Sequence, residues 1–227
     1  SPGDILFIDE IHRLSKAIEE ILYPAMESGV LDIIIGKGPS ARTVQLDLPP
    51  FTLVAATTRV SLLSAPLRSR FSGGTFRLDF YTDDEIVKIL ERSAGVLGAD
   101  TKRETLKEIA SRSRATPRTA NYLLKRARDL AQIESADISD EIVSRTFVLL
   151  DIDSLGLHGP DRQLLRAIVN KFNGGPVGLN TLAAATGEEM ATIEDVLEPY
   201  LIRQGLIERT PRGRVATPTA HAHMQGI

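Results

Sequence analysis

The stretch that decides the fold is Ile5-Leu6-Phe7-Ile8-Asp9-Glu10, in which four apolar residues are followed directly by two acids. A short continuous apolar run of this kind is typical of a strand buried in a parallel sheet. Open α/β sheets bind ligands at the carboxyl ends of their strands, which is where Asp9 and Glu10 are expected. Asp9 is a candidate ligand for Mg²⁺, and Glu10 is a candidate to orient or deprotonate an attacking water. The same pattern also fits an acidic turn after any buried strand, and both interpretations stay open.

The segments that follow alternate between helix and strand. An amphipathic helix with apolar residues at Ile18, Ile21, Leu22 and Met26 is predicted next. The segments 31–35 and 43–48 flank Gly36-Lys37-Gly38-Pro39-Ser40 and predict a β-hairpin. Residues 51–56 predict a second buried strand, which ends in Thr57-Thr58-Arg59. A hydroxyl at that point could contact a γ-phosphate or an attacking water, or it could satisfy the backbone of a turn. This order of elements predicts an α/β sheet.

The acidic strand has the arrangement of a Walker B strand, but its usual companion is missing. The phosphate-binding loop G-x-x-x-x-G-K-S/T does not occur in the 227 residues. The chain opens with Ser1-Pro2-Gly3 rather than Met and reaches a buried-type strand at once. We therefore expect a fragment whose sequence begins within a domain.

Four further residues are candidates for contacts with a nucleotide. Arg68 and Arg70 lie two residues apart, and the fixed fork of a guanidinium suits phosphate oxygens. An arginine offered to a neighbour's nucleotide would be an arginine finger, although surface salt bridging is the favoured interpretation for either arginine taken alone. Arg118 is predicted in the first turn of a helix, where a cation is mildly unfavourable against the helix dipole. Tyr81 could border a base pocket or could simply pack between domains.

The middle of the chain predicts four helices from apolar spacings of three and four residues. Their expected ranges are residues 83–93, 102–113, 118–133 and 140–149. The expected N-cap residues are Thr82, Thr101, Thr116 and Ser139, and Pro117 suits a first helical position. Residues 153–160 contain two glycines and a proline and predict a domain boundary. The expected domains are residues 1–78, 79–153 and 154–227.

The last part predicts three helices and a β-hairpin, the order of a winged-helix domain. The helices are expected at residues 161–172, 179–186 and 192–204, and the hairpin at residues 206–217. Four arginines against one glutamate give the predicted wing a charge of about +3; they are Arg203, Arg209, Arg212 and Arg214, against Glu208. A basic wing suits backbone phosphates. The expected recognition helix is acidic, with Glu194, Asp195 and Glu198, which argues against sequence-specific reading of the major groove. DNA binding is favoured over protein docking.

Composition excludes several classes of protein. The chain has 27 Lys and Arg against 30 Asp and Glu, 42% apolar residues and no Cys. These values fit an ordinary globular protein and exclude a disulfide scaffold, a thiolate metal site and a cysteine nucleophile. No apolar run is long enough to predict a membrane span. The net charge of −3 provides no global attraction to nucleic acid, so any basic surface must be local.

The order of these motifs resembles the AAA+ ATPases and, among them, the RuvB family of Holliday junction branch-migration motors. The resemblance extends over essentially the whole chain. The most specific matching segments are residues 7–14, 22–27, 47–53, 174–179, 198–201 and 209–214. It implies a fold that is α/β plus all-α plus winged helix: a partial AAA+ P-loop sheet, a helical lid subdomain and a C-terminal winged-helix domain.

The resemblance also implies roles for individual residues. Asp9 and Glu10 match the Walker B pair, with Mg²⁺ at Asp9, and Thr58 matches sensor 1. Arg70 matches the finger that acts on the adjacent subunit's ATP, and Arg118 matches sensor 2. The family places further nucleotide contacts at Glu27, Ser28, Gly29 and Tyr81. It places DNA contacts on the wing at Arg209 and Arg214, with Arg212 as an addition.

The implied activity is ATP-driven branch migration by a homohexameric ring around duplex DNA in the cytoplasm. The hairpin at residues 31–48 matches the segment that docks RuvA, and the RuvC resolvase is an expected partner. Two alternatives stay open: a non-catalytic DNA- or protein-binding module, and a clamp-loader-like subunit. The sequence departs from the family at Ser72-Gly73-Gly74, which is one residue longer, at Ala115, where Gly is usual, and at Tyr122, where Arg is common.

Overall fold

The computed structural model describes residues 1–36 and 42–226. The chain divides into two compact units, Ser1–Leu78 and Asp79–Ile227. The first unit contains the acidic strand and the hairpin, and the second contains the helices of the middle part and the winged helix.

A parallel strand pair forms the centre of the first unit. Strand β1 (Ile5–Ile8) pairs with β4 (Thr52–Ala55) in the register Ile5 to Thr52 and Ile8 to Ala55. Helix α1 (Lys16–Ser28) follows β1; the Ser15 hydroxyl caps it by accepting from the amide of Ile18. The helix ends at Gly29, whose φ of 67° is a left-handed conformation that favours glycine. Because the strands are parallel and in register, the residues that follow them emerge at the same edge.

The prediction that β1 is buried is wrong for this chain. Ile5 is 70% exposed and Phe7 is 59% exposed. Within the described residues β1 has β4 as its one paired strand, so most of its apolar side chains have nothing packed over them. The buried apolar residues of this unit lie instead around the helices, at Ile11, Ala25 and Leu67.

The predicted hairpin is present as β2 (Val30–Ile35) and β3 (Arg42–Asp47), paired antiparallel over six positions. The prediction of a turn at Gly36-Lys37-Gly38-Pro39-Ser40 falls mostly on residues 37–41, which lie outside the described residues. A short helix, α2 (Ala65–Ser69), follows β4 and ends at Arg70.

Four helices build the first half of the second unit, which we call the lid. They are α3 (Asp83–Leu97), α4 (Arg103–Ser111), α5 (Pro117–Ile133) and α6 (Asp140–Leu149). They bury a common apolar core that includes Leu90, Ile109, Leu124 and Phe147, each at most 1% exposed.

The first residues of the four lid helices can be compared with the four predicted N-cap residues. Thr82 forms a capping box with Glu85, and Ser139 accepts from the amide of Ile142, so both predictions are confirmed. Thr101 is a wrong prediction: Lys102 is the N-cap residue of α4. The Thr101 hydroxyl donates to the carbonyl of Ile138 at 3.0 Å instead, in a contact with a segment 37 residues away. Thr116 occupies the N-cap position of α5 but makes no capping hydrogen bond with its side chain.

The winged helix completes the second unit. Helix α7 (Gly159–Arg166) continues as a π-helical turn (Ala167–Lys171), and α8 (Leu179–Thr186) ends at Gly187. The predicted recognition helix consists of α9 (Met190–Thr192), a π-helical turn (Ile193–Leu197) and α10 (Glu198–Arg203). The wing pairs β5 (Ile207–Thr210) with β6 (Gly213–Ala216), and α11 (Pro218–Gln225), which the sequence did not predict, closes the domain.

A cluster of side chains joins the lid to the winged helix. The Arg114 guanidinium donates to Asp161 at 2.6 Å and lies 4.2 Å from the ring centroid of Tyr200. The Tyr200 hydroxyl donates to the carbonyl of Leu155 at 2.7 Å, and Arg203 donates to the carbonyl of Arg114 at 3.3 Å. We call this cluster the junction; within the second unit it ties α7 and α10 to the segment that precedes α5.

No helix in the described ranges is long and apolar enough to cross a membrane.

Candidate active site and nucleic-acid interface

The edge at which β1 and β4 end brings Glu10 and Thr58 together across 48 residues of sequence. Glu10 Oε2 accepts two hydrogen bonds from Thr58, one from its backbone N–H at 3.2 Å and one from its hydroxyl at 3.1 Å. The parallel register predicts this meeting, because both residues follow strands that end at the same level.

The backbone of Glu10 is in the left-handed region, at φ 48° and ψ 46°. A residue other than glycine adopts this backbone conformation at a cost of about 1–3 kcal/mol, so the surrounding structure must enforce it. Ile11, the next residue, is buried and its N–H donates to the carbonyl of Ala56 at 3.0 Å, which fixes the chain after the turn. The strained residue is thus one of the two candidate catalytic acids.

A histidine also contacts this site. His12 Nδ1 lies 3.1 Å from Glu10 Oε2 and 2.8 Å from the hydroxyl of Thr57. The side chain of His12 is 10% exposed, whereas that of Glu10 is 33% exposed. Neither His12 nor Thr57 is among the site residues that the sequence predicts, although Thr57 belongs to the predicted strand-end segment Thr57-Thr58-Arg59. Their positions next to Glu10 and Thr58 in the sequence were the available signal.

The hydrogen bond from the Thr58 backbone, followed by that from its hydroxyl, holds the pKa of Glu10 below its ordinary value, with smaller contributions from His12 and Arg13. Both contacts stabilise the ionised carboxylate, because a carboxylate accepts and cannot donate. A lower pKa also makes Glu10 a weaker base than a free carboxylate. Release from Thr58 would therefore raise its basicity.

Asp9 lies at the same edge and is exposed; one of its oxygens accepts from the amide of Glu10 at 2.9 Å. Its carboxylate is the hard oxygen donor that Mg²⁺ prefers. No group of three or more His, Cys, Asp or Glu side chains among the described residues is arranged to hold a metal ion. A cation at Asp9 would take its other ligands from water or from a bound phosphate, which is common for Mg²⁺.

Arg70 lies in the same unit and contacts two residues of α1, Glu27 and Tyr23. Its Nη2 pairs with Glu27 Oε1 at 2.7 Å, its Nη1 donates to the carbonyl of Pro66 at 2.8 Å, and its guanidinium lies 4.4 Å from the ring centroid of Tyr23. The structure therefore brings together two of the predicted site residues, Arg70 and Glu27. Ser28 and Gly29 follow Glu27 at the end of α1.

The other two predicted nucleotide residues lie in the lid. Arg118 is exposed in the first turn of α5, as predicted from Pro117. The backbone N–H of Tyr81 donates to the carbonyl of Ala115 at 3.3 Å, and Tyr81 is 44% exposed. Arg114 and Ala115 both have left-handed backbones, with φ 57° and 54°, a conformation that glycine adopts more easily than a residue with a side chain.

The wing differs from the prediction in its charge. Arg214 is 8% exposed and donates through two nitrogens to both oxygens of Glu198, with 3.2 Å for the Nη2–Oε2 contact. Arg209 pairs with Glu194. The acidic helix therefore neutralises two of the wing arginines, so the prediction of a wing with about +3 charge is wrong. Arg212 is exposed at the tip between β5 and β6.

The fold and the residues at the sheet edge define a class of protein. An Asp-Glu pair facing a threonine, a four-helix lid and a winged helix are the parts of an AAA+ protein that carries a DNA-binding domain. Residues 1–78 match the Holliday junction DNA helicase RuvB P-loop domain, residues 81–153 the RuvB AAA lid domain and residues 154–225 the RuvB C-terminal winged helix domain. The chain belongs to the RuvB family.

Solved structures of Thermotoga maritima RuvB are similar to this one over nearly its whole length. The structure described as the Holliday junction branch migration motor shares 47% sequence identity at a TM-score of 0.83, over 99% of this chain and 70% of that chain. Two single-site mutants of the same protein share 47% identity at TM-scores of 0.83 and 0.84, over 99% of this chain and 71% of theirs.

Proposed function

We propose that this chain is part of an ATP-driven motor subunit that moves Holliday junctions by branch migration. The observation that carries the proposal is the contact of Glu10 with Thr58 at the carboxyl ends of two paired parallel strands, in a chain of the RuvB family. The domains that we propose are residues 1–78, 79–153 and 154–227, a division supported by the two compact units and the three matched ranges.

In the proposed reaction Asp9 would hold Mg²⁺, which would supply positive charge against the phosphates of ATP. Glu10 accepts the proton of the attacking water after it exchanges its Thr58 hydrogen bonds for that water. Thr58 then faces the water or the γ-phosphate with its free hydroxyl. The chemistry of these donors fits the proposal: two carboxylates and a hydroxyl meet at one edge, and Glu10 is ionised.

We propose that Arg70 acts on the ATP of the adjacent subunit, since it lies at the end of α2 with its side chain 22% exposed. Glu27, Ser28 and Gly29 would lie near the same nucleotide. Arg118 and Tyr81 would contact nucleotide from the lid and couple its state to the winged helix.

The test of the catalytic proposal begins with the coding DNA directly upstream of Ser1. An in-frame strand followed by G-x-x-x-x-G-K-S/T supports the motor, since that loop supplies the β- and γ-phosphate contacts. ATP hydrolysis by the protein of the complete reading frame should then be lost in Glu10→Gln. A stop codon or an unrelated sequence would instead support a non-catalytic binding module. We expect no hydrolysis by residues 1–227 alone.

We propose that the winged helix binds the backbone of duplex DNA through Arg212, with Arg209 and Arg214 as further contacts. The exposure of Arg212 supports its role directly. Arg209 would have to leave Glu194, whereas Arg214 would contribute to the wing while it stays paired with Glu198. Backbone binding predicts that log K falls by about 0.9 per neutralised phosphate as log salt rises. Fluorescence anisotropy with two unrelated duplexes measures this slope. Affinities that differ tenfold between the duplexes would contradict the proposal.

The proposed assembly is a homohexameric ring in the cytoplasm that works with RuvA and the RuvC resolvase. Four apolar side chains exposed on β2 and β3 support docking of RuvA at the hairpin of residues 31–48; they are Ile33, Ile35, Val44 and Leu46. Replacing Ile35 and Val44 by Ser should abolish co-elution with RuvA and leave DNA binding by the winged helix unchanged.

A further inference from the structure

A buried carboxylate contacts Tyr23, whose ring lies against Arg70, and the proposed reaction does not use this carboxylate. Glu19, on α1, is 7% exposed. Its Oε2 accepts from the hydroxyl of Ser64 at 2.6 Å and from the hydroxyl of Tyr23 at 3.1 Å. A buried carboxylate is costly unless donors satisfy it, and here two neutral hydroxyls do so.

Ser64 connects this cluster to the helix that carries Arg70. Its Oγ accepts from the amide of Leu67 at 3.3 Å and thereby caps α2. The hydroxyl proton of Ser64 is then free for Glu19, and that of Tyr23 serves the same carboxylate, so the donors and acceptors balance. A helix of five residues is too short to be stable by itself, and this cap fixes its direction.

The ring of Tyr23 forms the floor beneath the Arg70 guanidinium, at 4.4 Å from ring centroid to Cζ. The Pro66 carbonyl and the Glu27 carboxylate hold the two terminal nitrogens. The Arg70 Nε is buried and has no hydrogen-bond partner among the described residues. A buried N–H without a partner is unfavourable. The stacked orientation of Arg70 therefore depends on its contacts with the Tyr23 ring, the Pro66 carbonyl and the Glu27 carboxylate.

We infer that Tyr23, anchored by Glu19 and Ser64, is a positioning residue that sets the direction in which Arg70 presents its guanidinium. This inference rests on the proposed role of Arg70. The long side chain of Arg70 would otherwise sample many rotamers, and the cluster restricts it to one direction. A group held in this way stabilises a transition state more effectively, because it does not have to reorganise when the transition state forms. A purely structural role for Tyr23 would join α1 to α2 and leave the guanidinium as free as that of exposed Arg68.

Nitrogen relaxation of the arginine Nε–H groups in the 227-residue chain tests the inference without nucleotide. We expect an order parameter of about 0.85 for the Arg70 Nε–H group and one below about 0.6 for that of Arg68, which lies two residues earlier in α2. Tyr23→Leu should lower the order parameter of the Arg70 Nε–H group to the value found for Arg68. Tyr23→Phe, which keeps the ring and removes its anchor, should give an intermediate value. Tyr122→Leu is the matched control, since it removes a ring near Arg126 in the lid.

The amide signal of Leu67 reports whether α2 is intact. An Arg70 Nε–H that stays ordered in Tyr23→Leu with Leu67 unchanged overturns the inference. If Tyr23→Leu loses the Leu67 signal through unfolding, Tyr23→Phe decides: a lowered Arg70 order parameter supports the inference and an unchanged one overturns it.

A kinetic measurement on the protein of the complete reading frame separates this inference from the proposed function. Tyr23→Leu should lower kcat for ATP about tenfold and leave KM unchanged, because a misdirected arginine loses contact with the transition state. A change in KM alone would contradict positioning. If Arg70→Ala leaves ATP hydrolysis unchanged, the finger role fails, and the relaxation result for Tyr23 stands by itself.

Discussion

The sheet edge of the first unit and the base of the wing each hold a glutamate by two hydrogen bonds, but the donors differ. Glu10 accepts from the neutral groups of Thr58 and is 33% exposed. Glu198 accepts from the charged guanidinium of Arg214 and is 2% exposed. Neutral, solvent-accessible donors can be exchanged at little cost, whereas a buried ion pair cannot be opened without leaving a charge uncompensated. The first arrangement suits chemistry and the second suits a fixed scaffold.

The largest effect is expected at the wing. Arg214→Ala should lower the free energy of unfolding of the winged helix by about 3–5 kcal/mol, because it leaves the Glu198 carboxylate buried without a cation. Urea denaturation followed by circular dichroism measures this change. The double variant Arg214→Met with Glu198→Leu is the control and should recover most of the loss. Unchanged stability together with weaker DNA binding would show that Arg214 serves the wing surface instead.

A smaller effect is expected for the exposed arginine of the same hairpin. Arg212→Ala should leave stability within about 0.5 kcal/mol, because the side chain is exposed. It should reduce the slope of log K for duplex DNA against log salt by about one. Arg166→Ala, which changes an exposed arginine on α7, is the matched control. If Arg212→Ala and Arg166→Ala reduce the affinity for duplex DNA equally, the proposal that Arg212 at the wing tip contacts DNA is contradicted.

The smallest effect is expected at the sheet edge. Thr58→Val removes one of the two donors to Glu10 and should raise the Glu10 pKa toward its ordinary value while the fold persists. Carbon-detected titration of the Glu10 carboxyl group measures it. In the parent chain any stabilisation from this contact is present above the ordinary pKa and is lost as pH falls through the lowered one. Thr57→Val, which leaves both donors in place, is the control, and equal shifts in the two variants would contradict the account.

Local signals allowed much of the fold to be predicted, and contacts between distant segments limited the rest. Thr82 and Ser139 were found as N-caps because the capping pattern lies within four residues. Thr101 was assigned wrongly because its hydroxyl is used by Ile138, which no local pattern reveals. The exposure of β1 depends on which strands pair with it, and its apolar sequence alone predicts burial.

The candidate site shows the same division. The sequence predicts that Glu10 and Thr58 each follow a strand, whereas the contact between them depends on the parallel pairing of β1 with β4. The pairing of Arg214 with Glu198 joins positions 16 residues apart on different elements, and counting wing charges could not reveal it. Helix α11 begins at Thr217-Pro218, a recognisable start signal, but its sequence lacks a regular apolar spacing and was not predicted.

The junction braces the winged helix against the lid through side-chain contacts. Arg114, which binds Asp161 and stacks on Tyr200, lies four residues before Arg118, at the start of the 17-residue helix α5. A small tilt at that point cannot be absorbed by a slack linker, because the winged helix is held by side chains as well as by the chain. The displacement at the wing tip would then be the tilt angle multiplied by its distance from the junction, so any tilt of the lid would move Arg212 further than it moves Arg114.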